Sequence, residues 1–390
     1  MLAWATVALM LHTVMSLAAD PTRQEATAGL PTVWRVGPSR LLTKPSQAAS
    51  IARSGDSIEI DAGSYLGDTA VWTQHDLVIR GKGGLAHIHA NGAIAENKAI
   101  WVIKGNNATI EDIEFSGATA PARNGAGIRL EGTGLTVRSC YFHHNENGIL
   151  TGANRVSDII IEHSEFAYNG YGDGYSHNLY IGNVRTFSLR FSYVHHAVKG
   201  HNVKSRALTN HITYNRIMDE GDGTASYAVD LPDGGLSYLI GNVIQQGAAT
   251  QNRTIIAYGA EGFKNPINEL YVVNNTLIDD LPAGGRFISV WPGALVARVF
   301  NNLFSGAGDF PVAAPVEATD NIFVPASELV DPKNFDYRPK PGSAAVGRSR
   351  EPGQGHGVDL RPAWEYVHKA GRRARSMALP LDLGALQSQS

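Results

Sequence analysis

A short phrase that recurs down the chain constrains its fold more than any other feature. Each copy is an alternating apolar run that ends two or three residues before a small polar residue, as in Ile159-Ile160-Ile161 before Ser164 and Tyr271-Val272-Val273 before Asn275. Successive copies lie 19 to 33 residues apart, which excludes heptads and is typical of stacked β coils. Stacked Asn or Ser side chains can hydrogen-bond along the axis of such a solenoid. The ladder residues are Cys140, Ser164, Ser192, Asn215, Asn242, Asn275, Asn302 and Asn321.

The composition is that of one long domain. The 390 residues include 42 Gly, one Cys and 18% charged residues, so the chain can bury a large core without disulfides. A formal net charge of -3 argues against a nucleic-acid partner and predicts no strong attraction to a membrane. We expect a monomer.

The N-terminus has the pattern of an export signal. Residues 2–18 are an apolar run too short to span a membrane, and small residues suited to cleavage follow at 16–19. A buried N-terminal helix is the alternative. We expect a signal peptide at 1–19, a solenoid domain at 20–345 and a C-terminal extension at 346–390 that packs on the solenoid. The mature protein would be a secreted or periplasmic bacterial protein.

A different pattern precedes the repeats. Residues 45–53 predict a short helix that begins at Pro45 and ends before Ser54-Gly55, and an alternating first strand follows at 57–60. Because the open end of a solenoid would recruit other chains, we expect this helix to cap it. At the other end of the chain, the basic segment 365–377 predicts a second helix.

Two C-terminal phrases complete a recognisable set. Gly357-Val358-Asp359-Leu360-Arg361-Pro362 and Asp382-Leu383-Gly384-Ala385 resemble the ending of many bacterial parallel β-helix proteins. With the repeat and the helix, they make the chain resemble the pectate-lyase-like superfamily over about residues 50–345. The resemblance implies an all-β, right-handed parallel β-helix. Because this scaffold carries lyases, hydrolases, epimerases, esterases and adhesins, function must be argued from a site.

One strand of each expected coil supplies an outward-facing column of side chains. Side chains alternate along a strand, so the residue after each inward apolar residue faces out, and neighbouring coils lie about 4.8 Å apart. This alignment puts a lysine and a carboxylate on adjacent coils between aromatic rings. Such rings can stack on sugars, and the charges can act at a reacting centre. The expected column is Arg129, Leu150, Tyr180, Lys204, Asp230, Tyr258 and Trp291.

Further polar residues surround this column. A Gly/Ser-His-Asn phrase occurs twice, one coil apart, so we expect His177 and His201 to stack on each other. Arg206 occupies the next outward position after Lys204, and Lys199 lies just upstream. The residues expected to bind substrate are His177, Tyr180, Lys199, Tyr258, Glu261, Trp291 and Arg129.

The chemistry that fits this cluster is β-elimination on a uronic-acid polysaccharide. A base must remove the C5 proton, which is weakly acidic, while cations or strong donors stabilise the enolate-like intermediate. A lysine can act as the base where neighbouring cations and burial lower its pKa from about 10.4. Lys204 has Lys199, His201 and Arg206 as expected neighbours, whereas Asp230 would favour its charged form.

A more local resemblance supports the same assignment. Val203-Lys204-Ser205-Arg206, the segment 212–217 and the segment 223–227 are similar to a stretch of the polysaccharide lyases that include chondroitinase B and alginate lyases. In that family the lysine of the first phrase is the proposed proton abstractor, and it corresponds to Lys204.

The family has calcium-ligating acids just before that lysine, where this chain has Ala197 and Lys199, and an arginine near the position of Asp230. Calcium therefore stays an open cofactor with no assigned ligands, and we expect no other metal. The resemblance implies Lys204 as the base. From the residues around it we add His201, Arg206, Tyr227 and Asp230 as catalytic candidates, with Lys199, Arg206 or the histidines holding the substrate carboxylate and Tyr227 or Tyr258 protonating the leaving oxygen.

Other functions stay open at this point. A glycoside hydrolase would need two carboxylates about 5 to 9.5 Å apart, and Asp230 with Glu261 or Asp233 is the available pair. A uronan C5-epimerase would share the proton abstraction. A non-catalytic carbohydrate-binding surface protein would need the aromatic rings alone. The lyase is favoured because of Lys204 and the surrounding cations, with an acidic polysaccharide as the expected partner.

Overall fold

The structure is a computed structural model that describes residues 30–376 and 380–388. The predicted signal peptide lies outside these residues. All features below belong to one compact unit that begins at Pro31. The chain forms a parallel β-solenoid of about ten turns with little helix. The helices are α1 (Pro45–Ile51) and two 3-10 turns (Ala326–Glu328 and Pro332–Asn334), and the strands in chain order are β1 (Val33–Val36), β2 (Ser57–Leu66), β3 (Ala70–Trp72), β4 (Val78–His89), β5 (Ala99–Ile103), β6 (Ala108–Glu111), β7 (Ile113–Ser116), β8 (Ala126–Leu130), β9 (Leu135–Arg138), β10 (Tyr141–His143), β11 (Asn147–Thr151), β12 (Asn154–Glu162), β13 (Glu165–Ala167), β14 (Leu179–Ile181), β15 (Val184–Arg190), β16 (Tyr193–His195), β17 (Val203–Ser205), β18 (Thr209–Thr213), β19 (Arg216–Met218), β20 (Val229–Leu231), β21 (Leu236–Ile240), β22 (Val243–Gln246), β23 (Thr254–Tyr258), β24 (Glu269–Val273), β25 (Thr276–Asp279), β26 (Arg286–Val290), β27 (Val296–Phe300), β28 (Leu303–Gly306), β29 (Val316–Thr319), β30 (Ile322–Phe323), β31 (Leu329–Asp331), β32 (Asp336–Pro339), β33 (Gln354–Gly355), β34 (Val358–Asp359), β35 (Trp364–Val367) and β36 (Gly371–Ala374).

Three rows of parallel strands run along the solenoid. The first row is a separate sheet of nine strands, β3-β5-β8-β11-β14-β17-β20-β23-β26. The other two rows belong to one sheet of 21 strands, which the long strands β2 and β4 join. Inward apolar side chains of all three rows form one continuous core, in which the rings of Phe115, Phe142 and Phe166 stack 4.9 and 4.8 Å apart.

The recurrent polar residue marks the turn between the second and third rows. The residue before each ladder position has φ between 50° and 67°, and all but Gly241 of these are non-glycine residues, for which left-handed backbone costs about 1 to 2 kcal/mol. The predicted ladder is confirmed at these turns. The Asn242 side chain donates to Asn275 Oδ1 at 2.9 Å, and the Asn275 side chain donates to Asn302 Oδ1 at 3.1 Å. The Asn275 side chain also accepts from the Asn242 backbone N–H at 2.9 Å and donates to Leu239 O at 2.8 Å, so the ladder satisfies backbone groups at the turn.

The helix α1 lies where the sequence predicts one, although it ends at Ile51 rather than Arg53. Its Ala48 and Ala49 are buried in the core. The strand β1 precedes it and pairs in parallel with β2, so the strand at 57–60 is not the first. The capping role of α1 and the handedness of the solenoid stay predictions.

The helix predicted for 365–377 is wrong. Strands β35 and β36 form an antiparallel hairpin instead. Tyr366 and Glu365 are both buried, and the Arg372 guanidinium lies 4.3 Å from the Trp364 ring centre. Ala370 has φ 54° and Gly371 follows it, so the backbone turns back where a helix would have to continue. Among the described residues, no helix is long and apolar enough to cross a membrane.

Candidate active site on the nine-stranded sheet

The outer face of the nine-stranded sheet carries the expected column as far as Asp230. Arg129 pairs with Leu150, and Leu150 pairs with Tyr180. Tyr180 then pairs with Lys204, and Lys204 with Asp230. Because paired residues of parallel strands point to the same side, the lysine and the carboxylate lie side by side on adjacent coils.

The alignment expected beyond Asp230 is wrong. Asp230 pairs with Ala257 rather than Tyr258, and Ala257 pairs with Ser289. Tyr258 points into the core, fully buried, and donates its hydroxyl proton to Gly235 O at 2.6 Å. Trp291 lies after the end of β26. The slip arose because Ile255 and Ile256 are both apolar and buried, so alternation cannot fix the register of β23, and a slip of one residue exchanges the two faces.

A second asparagine ladder orients the two histidines of the site. The Asn178 side chain donates to Asn202 Oδ1 at 2.8 Å, and both side chains are fully buried one residue after His177 and His201. The two imidazole rings stack with centres 4.6 Å apart. The sequence repeat Gly/Ser-His-Asn is therefore the mark of a ladder, with its histidines held in register beside the column.

Backbone hydrogen bonds fix the tautomers of these histidines. His177 Nδ1 accepts from His201 N at 2.9 Å, and His201 Nδ1 accepts from Tyr227 N at 3.2 Å. Burial, followed by the charge of Lys204, lowers the pKa of His201 to about 3, and burial lowers the pKa of His177 well below its ordinary value. Both rings are neutral at neutral pH and carry their proton on Nε2, so each is a hydrogen-bond donor at that atom.

Lys204 contacts two carboxylates. Its Nζ lies 3.4 Å from Asp230 Oδ2 and 3.2 Å from Glu261 Oε1. His201 Nε2 lies 3.4 Å from the same Asp230 oxygen. The Lys204 ammonium also lies 5.7 Å from the centre of the Tyr180 ring, so it is close enough for a cation–π contact.

Arg206 organises the neighbouring part of the site. Its guanidinium donates to the Tyr180 hydroxyl at 3.1 Å, to Asp233 Oδ1 at 2.7 Å and to both oxygens of Glu261 at 2.8 and 2.9 Å. Lys264 joins this group, with Nζ 3.0 Å from Asp233 Oδ1. Three cations therefore face three carboxylates. Glu261 is the most exposed of these carboxylates.

The three carboxylates differ in their environment. Burial raises the pKa of Asp230 to about 6, although Lys204 opposes this shift. Among the described residues, Asp230 Oδ1 is buried without a hydrogen-bond partner. Burial also acts to raise the pKa of Glu261, but hydrogen bonds from Arg206 and the charge of Lys204 outweigh it and lower that pKa. The site therefore combines a buried carboxyl group with a raised pKa, Asp230, and a more exposed one with a lowered pKa, Glu261.

The remaining predicted residues lie at the edges of the site. Tyr227 is half-buried, with its ring centre 4.9 Å from that of His201. Lys199 is exposed at a turn of left-handed backbone. Arg129 lies two strands from Tyr180 on the same column, where its Nε is 3.8 Å from Glu131. Lys264 was not predicted, since it reaches the site from the loop between β23 and β24, where no periodic pattern marks it.

The residues present do not fit a calcium ion at the position implied by the sequence resemblance. Ala197 is buried and has no ligand atom in its side chain, and Lys199 is a cation. The nearby carboxylates Asp230, Asp233 and Glu261 each contact a lysine or an arginine. Calcium favours several oxygen ligands without competing cations, so we derive no step through it.

Comparisons with known proteins bear on the fold. No protein-family model matches the chain, and no curated protein matches it. A solved structure with a similar fold is the crystal structure of pectate lyase Pel9A, with a TM-score of 0.62 over 92% of this chain and 96% of that chain. The two sequences are 13% identical, so the likeness shows the pectate-lyase-like β-helix fold and nothing finer.

Proposed function

We propose that this protein is a polysaccharide lyase that cleaves a uronic-acid polysaccharide by β-elimination, with Lys204 as the proton abstractor. The observation that carries the proposal is the set of contacts that Lys204 makes on one outward face. Lys204 contacts Glu261, which also pairs with Arg206, and it contacts Asp230, which also lies beside the neutral His201. This face gives a candidate base, a fixed guanidinium and preorganised donors. The solved structure of similar fold is a pectate lyase, which supports the class of reaction.

In the proposed reaction each residue of the site has one role: base, carboxylate-binding cation, hydrogen-bond donor or acid. Lys204, as the free amine, takes the C5 proton. Arg206 pairs with the substrate carboxylate, and the Nε2–H groups of His177 and His201 donate to the enolate oxygens. The C4–O bond then breaks as the C4–C5 double bond forms. Tyr227 protonates the leaving oxygen, since the hydroxyl of Tyr258 is held in the core.

Asp230 has a role in preparing the base. Lys204 must lose a proton before it can act, and Asp230 Oδ2 is 3.4 Å away. Burial favours the neutral carboxyl form of Asp230, so of the two carboxylates that contact Lys204 it is the one better able to hold that proton. We therefore assign Asp230 to Lys204 as a partner rather than to the substrate.

Glu261 takes the place of the substrate carboxylate in the free protein. Its two oxygens accept from Arg206, and one of them lies 3.2 Å from Lys204. A bound uronate would present the same group to the same cations. Because the Glu261 side chain is 43% exposed, it can turn into solvent when the substrate carboxylate replaces it.

A polymer substrate also agrees with the expected location. Such a substrate lies outside the cell, and the sequence has an export-signal pattern at 1–19. We therefore propose a secreted or periplasmic enzyme.

The test is to incubate the protein with a panel of uronate-containing polysaccharides and to follow the ultraviolet absorbance of the unsaturated product. We expect absorbance to rise for at least one uronate polymer and not for its carboxyl-reduced form. Lys204→Ala should lower the rate by about 100- to 10,000-fold, the usual contribution of a general base. Lys340→Ala, which removes an exposed lysine that contacts Ser327, is the control. A rate unchanged by Lys204→Ala would reject Lys204 as the base.

A glycoside hydrolase is the second candidate, because the environments of two carboxylates differ in the required way. Burial raises the pKa of Asp230 to about 6, whereas the pKa of Glu261 is lowered, and both contact the Lys204 ammonium. An acid and a base with separated pKa values are what glycoside hydrolysis needs. New reducing ends without an absorbance rise would favour this candidate.

A further inference from the structure

A second cluster of ligand-type side chains lies on the third row of strands, away from the nine-stranded sheet. His87 of β4 pairs with Glu114 of β7, and His143 lies on the next strand, β10. The inward neighbours Ile88, Phe115 and Phe142 are core residues, so these three side chains all point outward. Three consecutive coils therefore each contribute one polar side chain to the same spot.

The three side chains converge closely. His143 Nε2 lies 2.9 Å from Glu114 Oε1, and His87 Nε2 lies 3.6 Å from the same oxygen. One ligand atom from each residue lies within 4.8 Å of the other two. Ligand atoms of a tetrahedral zinc site are about 3.5 Å apart, given bonds of about 2.1 Å, so small side-chain rotations would suffice.

The neighbouring residue His144 lies where it can orient the His143 ring. His143 Nδ1 lies 2.8 Å from His144 Nδ1. With the proton on His143 Nδ1 donated to His144, the lone pair of His143 Nε2 is free to bind a metal. Histidine ligands in metal sites commonly hold such a hydrogen bond at their other nitrogen.

We propose that His87, Glu114 and His143 bind one Zn²⁺ ion. Two imidazole nitrogens and one carboxylate oxygen are a usual zinc ligand set, and a water would occupy the fourth position. The ligands are only partly exposed, with 24%, 21% and 17% of their side-chain surfaces accessible, so an ion can reach them from solvent. Because the ion would join β4, β7 and β10, it would also stabilise that part of the solenoid.

The experiment is calorimetric titration of the EDTA-treated, dialysed full chain with ZnCl₂, together with the melting temperature at each zinc concentration. We expect one equivalent to bind and the melting temperature to rise. Loss of a residue that only hydrogen-bonds to a metal ligand weakens metal binding by about 10- to 100-fold. His143→Ala and His87→Ala remove a ligand itself, so each should weaken zinc binding by more than that. Both variants should melt near the wild type in EDTA.

Two controls keep the test specific. His356→Ala removes a histidine that lies 3.4 Å from Glu269, a His–carboxylate pair outside the proposed ligand set, and should leave zinc binding unchanged. Glu114→Gln keeps the size of the side chain and should weaken binding as the histidine variants do. No binding by the wild type, or undiminished binding by His143→Ala, would overturn the proposal.

Discussion

Burial and ion pairing act in opposite directions on the pKa of Asp230: burial raises it, and the neighbouring Lys204 lowers it. Asp230 is 2% exposed, and one of its oxygens has no partner among the described residues. Replacing a buried ion pair by apolar residues is often neutral or stabilising, so such a pair is a poor device for stability alone. Its position in the middle of an outward column favours a chemical role.

Glu261 tests whether the substrate carboxylate binds where we propose. Glu261→Gln removes the competing charge from Arg206 and Lys204, so we expect KM for the acidic polymer to fall about two- to fivefold, the value of a partly exposed ion pair. The measurement is steady-state kinetics on the preferred polymer, with Glu351→Gln, which breaks the exposed pair with Arg361, as the control. A large loss of kcat would instead make Glu261 a catalytic group, as the hydrolase requires.

Asp219 makes the stability of the protein depend on pH. Burial raises its pKa from 3.8 to about 7, although a hydrogen bond from Asn202 opposes the shift. The folded state therefore holds this proton more tightly than the unfolded state, and stability is lost as pH rises from 3.8 to about 7, by about 4 kcal/mol. Asp219→Asn has no carboxyl group to titrate, so the melting temperature of the variant minus that of the wild type should increase as pH rises over that range. Asp309→Asn, at an exposed position, should show no such trend, and a constant difference for Asp219→Asn would refute the assignment.

At the level of elements, the turn between the second and third rows depends on its asparagine. The Asn275 side chain donates to Leu239 O at 2.8 Å and accepts from the Asn242 backbone N–H at 2.9 Å. Asn275→Ala would leave these buried groups without partners, at about 1 to 3 kcal/mol each, so we expect a loss of at least about 2 kcal/mol. Thermal or urea unfolding measures it, with the exposed Asn334→Ala as the control. Equal stability of the two variants would mean that the ladder is not structural.

The same elements explain what the sequence could and could not predict. A ladder residue must follow a left-handed turn in every coil, so its repeat is visible in the sequence, and the pairing of Lys204 with Asp230 follows from it. The register at β23 was not predictable, because two adjacent buried isoleucines hide the alternation. Lys264 was missed because it reaches the site from a loop, where no periodic constraint links sequence to position.

On the scale of the whole molecule, the nine-stranded sheet is the surface suited to a polymer. Nine strands at about 4.8 Å extend over about 40 Å, and the candidate site lies near the middle of this face. The net charge of the chain is only -3, and the site itself balances three cations with three carboxylates. Selectivity for an acidic polymer must therefore come from exchange of Glu261, rather than from the overall field of the protein.

The central claim, that the site performs elimination, is tested most directly by digesting the preferred polymer in ¹⁸O-labelled water and weighing the products by mass spectrometry. Elimination predicts products with an unsaturated end and no label introduced by cleavage, once exchange at reducing ends has been subtracted with a mock digest of finished products. Saturated products that carry one labelled oxygen per cleaved bond would show hydrolysis and contradict the account.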